Sequence, residues 1–166
     1  MAKRLFIYVP FDEDTDSDIK RGAQELEAAL NKEGVSITTG SGHSIVRAEL
    51  LFLGDEARAS DIDEDDVLFV HGHGGSDDTA TYDNSGGKIK IDVLKRKLNR
   101  MDNAGAFYFA ICFSAKKNHI ATAWGKNYEK VYGSDKVLEG GLIITTSRGT
   151  VRSCMLMPRD ARLREV

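Results

Sequence analysis

Two stretches of this 166-residue chain constrain its fold more than any other. "VLFV" (67–70) and "AFYFAI" (106–111) are apolar without interruption. A strand with one wet face alternates apolar and polar side chains, because successive residues point to opposite sides. These runs do not alternate, so both faces of each must be covered. Strands covered on both faces belong to a parallel sheet flanked by helices, an α/β architecture. The chain length suits a single domain spanning residues 1–166.

The rest of the chain reads as alternating strand and helix. "RLFIYVP" ends at Pro10 and reads as a first buried strand. The acidic "DEDTDSD" that follows reads as a solvated loop. Ser17 or Asp16 can cap a helix running to about Lys32, with Gly34 as its stop; Ile19, Ala23, Leu26 and Leu30 fall on one face. "VSITT" reads as a second short strand, and "SIVRAELLFLGDEA" as helix or mixed structure. "VLFV" is then the third strand. A small hairpin around "TATY" and "KIKI" and a helix "DVLKRKLNRM" starting at Asp92 lead to the fourth, "AGAFYFAIC". A helix is expected from Lys116 to Val131. "GLIITTS" reads as a fifth strand and "TVRSCMLM" as a sixth element before an Arg-rich tail.

Composition removes several classes of function. A net charge of −3 gives no reason to expect nucleic acid or an anionic membrane as partner. No apolar run approaches the ~20 residues of a membrane helix, and "MAKRLFIYVP" runs straight into acidic residues, unlike a signal peptide. Two cysteines, Cys112 and Cys154, make no disulfide framework. A reducing cytoplasm is the simplest home, and a secreted effector without a cleaved signal stays open.

The chemistry sits at two strand ends. "VLFV" runs into "HGHGG" (71–75), and "AFYFAI" runs into Cys112. Parallel strands joined by a crossover have neighbouring carboxyl ends, about 4.8 Å apart, where open α/β sheets place their functional crevice. Adjacent strands would set a thiol against an imidazole, the arrangement of a cysteine nucleophile with a histidine acid–base partner. His73, freed to turn by Gly72 and Gly74, is the expected catalytic histidine. His71, nearer the sheet, is the alternative. The N–H groups of Gly74 and Cys112 could together stabilise an oxyanion.

A strand ending in His-Gly, a crossover, and an apolar strand ending in Cys resemble the caspase-like cysteine peptidases, which include caspases, metacaspases, legumain, clostripain, gingipain and separase. Gly72-His73-Gly74 is similar to the Gly-His-Gly many members carry after their third strand. Cys112-Phe113-Ser114-Ala115 is similar to the family's nucleophile turn, with Ala115 where glycine is common. The likeness reaches from about residue 67 to 147. It implies a three-layer sandwich with a mainly parallel sheet. It implies a cysteine endopeptidase acting on protein or peptide substrates, with His73 and Cys112 as catalytic dyad, an oxyanion hole at Gly74 and Cys112, and no cofactor or metal. "GLIITTS" would line the specificity pocket. Thr146, Ser147 and Arg148 are therefore candidate substrate contacts; Arg148 would suit an acidic side chain, and Asp77, with Asp78, a basic one. Oligomeric state is not readable.

Rival readings exist. His71 and His73 could ligate zinc with Asp77 or Asp78 and Cys112. A serine hydrolase would need a Gly-x-Ser-x-Gly elbow, which "TTSRG" lacks. A phosphate loop at "GGSDD" has no lysine and two repelling carboxylates. A catalytically inactive binding module on the same fold is the remaining class. Cys154 reads as structural, and His43 and His119 as surface or capping residues.

Overall fold

The computed structural model describes residues 2–166. Its frame is one six-stranded sheet built from β1 (Arg4–Val9), β2 (Arg47–Phe52), β3 (Val67–His71), β4 (Ala106–Ala110), β5 (Val131–Gly133) and β6 (Arg164–Glu165). The spatial order is 6-5-4-3-1-2. Strands 1 to 5 pair in parallel, and β6 runs antiparallel along β5. Every residue of β1 and β4 is buried, as are Val67 to Val70 of β3. The two uninterrupted apolar runs are therefore the middle of the sheet.

Three α-helices, α1 (Asp18–Leu30), α2 (Ile91–Leu98) and α3 (Ile120–Trp124), accompany it. Ser17 caps α1, its hydroxyl accepting the Lys20 N–H at 3.1 Å; Ile19, Ala23, Leu26 and Leu30 are buried, the face their spacing predicts. Helix α1 leads from β1 leftward to β2, whereas α2 leads from β3 rightward to β4. Right-handed crossovers in opposite directions put these helices on opposite faces. The direction of winding reverses between β1 and β3, so their carboxyl ends part there and leave a crevice.

Several elements differ from the sequence reading. "RAELLF" is strand β2, not helix. Its outer edge is satisfied from α1: Asn31 donates to the Ala48 carbonyl at 2.8 Å and accepts its N–H at 2.7 Å, and Glu27 accepts the Leu50 N–H at 2.6 Å. The "VSITT" strand shrinks to Ile37–Thr38, paired with Ser44–Ile45 outside the main sheet. Helix α2 is capped at Lys90, one residue ahead of Ile91, so Asp92 lies in its first turn. Of the helix expected from Lys116 to Val131 only α3 forms, and Val131 opens β5 instead. Residues Ile143–Thr145, expected as a main-sheet strand, form an antiparallel hairpin with Val151–Cys154. The hairpin near "TATY" and "KIKI" exists and gains His73–Gly74 as a third strand.

Candidate active site

The crevice at the reversal point contains the candidate residues His71, His73 and Cys112. Strands β3 and β4 pair with Val67 opposite Ala106 and His71 opposite Ala110. Pairing persists one residue further, where the Gly72 N–H donates to the Ala110 carbonyl at 3.4 Å. The same offset continued brings His73 level with Cys112. Both line a cleft of about 180 Å³ with His71, Asp18, Gly22 and Leu142, among others.

Gly74 explains itself by steric contact. A Cβ there would collide with the Cys112 carbonyl oxygen and with Ile111. Only glycine lets the "HGHGG" backbone lie this close to the Cys112 turn. The Cys112 N–H has no acceptor among the described residues, so it remains able to donate to a ligand. The turn itself is held from both sides. Phe113 adopts a left-handed conformation, φ 62°, which costs a non-glycine residue about 1–2 kcal/mol. Bonds from the Phe113 N–H to the Lys136 carbonyl (3.1 Å) and from the Ala115 N–H to the Ser134 carbonyl (2.9 Å) fix it. Buried Ser114 adds a bond to the Phe109 carbonyl at 3.2 Å.

The segment after β5 continues over the cysteine. The Leu138 N–H donates to the Cys112 sulfur at 3.2 Å. Arg162 holds this strap by donating to the Glu139 and Gly141 carbonyls, both at 2.8 Å. Cys112 is half-buried, whereas Cys154 is fully buried, and burial pushes its thiol up to about 11.

The two histidines have different surroundings. The His73 Nε2–H donates to both oxygens of Asp18, at 2.8 and 3.0 Å, and its side chain is 31% exposed. Asp18 is the first residue of α1. Partial burial would push its carboxyl up, but the hydrogen bond from His73 and the charge beside it prevail and hold it below the usual range. His71 lies inward. Its Nδ1 is 3.1 Å from the Ala110 carbonyl, and burial lowers its pKa to about 4 despite that bond. At neutral pH it is an uncharged ring fixed to the end of β4.

Sequence reasoning missed Asp18, which lies within the acidic stretch read as a solvated loop. Its signal was positional: it follows the helix cap Ser17 at the carboxyl end of the first strand. The candidate substrate contacts fall elsewhere. Thr146, Ser147 and Arg148 occupy the exposed turn of the 143–154 hairpin and Asp77 an exposed loop, and none lines the cleft. No group of three His, Cys, Asp or Glu side chains among the described residues is placed to hold a metal ion. His43 is half-buried, its Nδ1 2.8 Å from Ser41 and its Nε2 2.9 Å from the Glu64 carbonyl. His119 is buried and caps α3 by accepting the Ile120 N–H at 2.8 Å.

Among the described residues, no helix is long and apolar enough to cross a membrane. No protein-family model matches the chain, and no curated protein matches its sequence.

Proposed function

We propose that this chain is a cysteine endopeptidase of caspase-like fold, with Cys112 as nucleophile, His73 as acid–base and Asp18 as the residue that orients His73. One observation carries the proposal. Asp18 at the start of α1, His73 just past β3 and Cys112 just past β4 line one cleft. The Asp18 carboxylate engages Nε2 of His73, and Nδ1, which has no hydrogen-bond partner among the described residues, is the nitrogen free to take the thiol proton. A nucleophile, a base and a group that orients the base is the constellation of covalent acyl transfer.

The chemistry follows from these positions. Cys112 gives its proton to His73 and attacks the peptide carbonyl carbon. Negative charge collects on the carbonyl oxygen, where the N–H groups of Cys112 and Gly74 receive it. Protonated His73 hands its proton to the leaving amine, and a thioester remains on Cys112. Water, deprotonated by His73, hydrolyses the thioester and restores the thiol. No step calls for a metal or organic cofactor. A reducing compartment such as the cytoplasm suits a functional thiol.

The test is cleavage of a mixed fluorogenic peptide library. Wild-type protein should cleave, Cys112→Ala should not, and His73→Ala should lose at least ~10²-fold in turnover while folded. His71→Ala should lose stability more than turnover. Iodoacetamide at neutral pH should label Cys112 well before buried Cys154. Equal, slow labelling of both thiols with no cleavage would overturn the proposal.

A further inference from the structure

The cleft beside Cys112 has an inner end that the reaction does not use. Its mouth is formed by the more exposed Asp18, His73 and Gly140, its interior by Ile19, Ala110, Leu142 and Met155, all at most 6% exposed. At the inner end Gly22 of α1 faces His71. A Cβ on Gly22 would sit 3.5 Å from the His71 Nε2 and 3.8 Å from Leu142 Cδ1, ordinary contact distances. The glycine therefore keeps open a space about the size of a methyl group between helix and imidazole. Nothing in the fold requires a glycine there for its backbone angle, because its φ is not positive.

The His71 ring is fixed in one state by its neighbour. The Ala110 carbonyl can only accept, so the 3.1 Å contact requires that Nδ1 carry the hydrogen. A neutral ring protonated at Nδ1 has a lone pair at Nε2. That lone pair has no donor among the described residues, and it faces Gly22, which lines the same cleft as His71 and Cys112.

We propose that His71 is a specificity residue, and that the cleft takes an uncharged side chain bearing an N–H donor, glutamine or asparagine, on the residue whose carbonyl Cys112 attacks. The assignment rests on the peptidase reading of the same site. A side-chain amide can donate to the His71 Nε2, in a cleft whose lining also includes the backbone of Gly140 and Gly141. A carboxylate would meet a lone pair and an apolar wall. A lysine or arginine would be stripped of water with only a neutral ring as partner, since the carboxylate of Asp18 is engaged by His73. An aliphatic side chain fits the walls but leaves the imidazole nitrogen desolvated and unpaired. Sites built around a buried polar partner discriminate strongly against analogues that lack its complement.

The experiment scans the cleavage-site residue in a tetrapeptide aminocoumarin library. In parallel, peptide chloromethyl ketones carrying Gln, Met, Glu or Lys at that residue alkylate Cys112, read by intact mass. Wild-type protein should favour Gln or Asn over Met or Leu by at least ~10-fold in kcat/KM, with Glu and Lys lower still. His71→Phe should shift the preference towards Met and Leu. Gly22→Ala fills the inner space without a clash, and should reduce the ratio of Gln to Ala cleavage by at least ~10-fold with the thermal midpoint kept. Cleavage that favours Lys, Arg, Asp or Glu, or a Gln-to-Ala ratio indifferent to Gly22→Ala, would overturn the pocket assignment and leave the peptidase reading standing. Gln-selective alkylation without any turnover would overturn the peptidase reading and support the pocket. Neither turnover nor selective alkylation would overturn both.

Discussion

Asp18 and His71 mark the two ways this site controls an imidazole. Asp18 holds one ring from outside through a carboxylate; the Ala110 carbonyl holds the other from inside through a neutral bond. Asp18→Asn keeps the size of the side chain but removes its charge, so orientation and support of a charged His73 both weaken. Turnover should fall about 10–100-fold with KM little changed, and Asp18→Glu should recover part of the loss. Split kinetic constants and the rescue separate this role from a merely structural one. For His71 the pH dependence has a definite sign. Its folded pKa, about 4, lies below the unfolded value of 6.5, so below 6.5 the unfolded chain takes up a proton that the folded chain refuses. The stability associated with His71 is full above pH 6.5 and is lost as pH falls toward 4, by at most about 3 kcal/mol. Urea unfolding at stepped pH should show this slope in the wild type and its absence in His71→Gln. The sequence marks both histidines and Cys112 because glycine and buried runs frame them. It could not single out Asp18 from its acidic neighbours, since only the 55-residue closure onto His73 distinguishes it.

At the scale of elements, legibility follows burial. Strands β3 and β4 are readable because covering both faces forces an unbroken apolar run. Strand β2 was ambiguous because it is an edge strand with exposed Arg47 and half-buried Glu49, and its apolar spacing serves a helix equally well. Strand β5 has three residues, too few for any period, and the residue before it, Lys130, is left-handed at φ 52°. The 143–145 strand was found but not its place in a separate hairpin with Val151–Cys154, because a strand pattern does not name its neighbour. The edge position of β2 has a measurable consequence. Asn31→Ala removes both bonds to Ala48 and uncovers part of the outer edge. It should cost about 1–2 kcal/mol in chemical denaturation and introduce concentration-dependent association in sedimentation velocity, since an open edge templates pairing.

The whole molecule is fastened at the end of the sheet opposite the cleft. Arg4 in β1 bonds Asp66 through its backbone N–H at 2.9 Å and its guanidinium at 2.8 Å, with Asp61 as an outer partner at 3.0 Å. Asp66 is fully buried, whereas the Asp61 side chain is 71% exposed. Removing the inner partner leaves a desolvated cation, so Asp66→Ala should lose about 3–5 kcal/mol. Asp61→Ala should lose less than about 1 kcal/mol. Paired urea titrations give both values, and equal losses would contradict the asymmetry. At the cleft end the fastening comes from much later in the sequence. Arg162 holds the strap that sets Leu138 on the Cys112 sulfur, and β6 closes the sheet with residues 164 and 165. On a ribosome those residues are joined about 3–10 s after Cys112 at ordinary elongation rates, and they must still clear the exit tunnel. Throughout that interval the nascent chain holds its cysteine without the strap fully secured, so the thiol matures only after translation has passed every other part of the site.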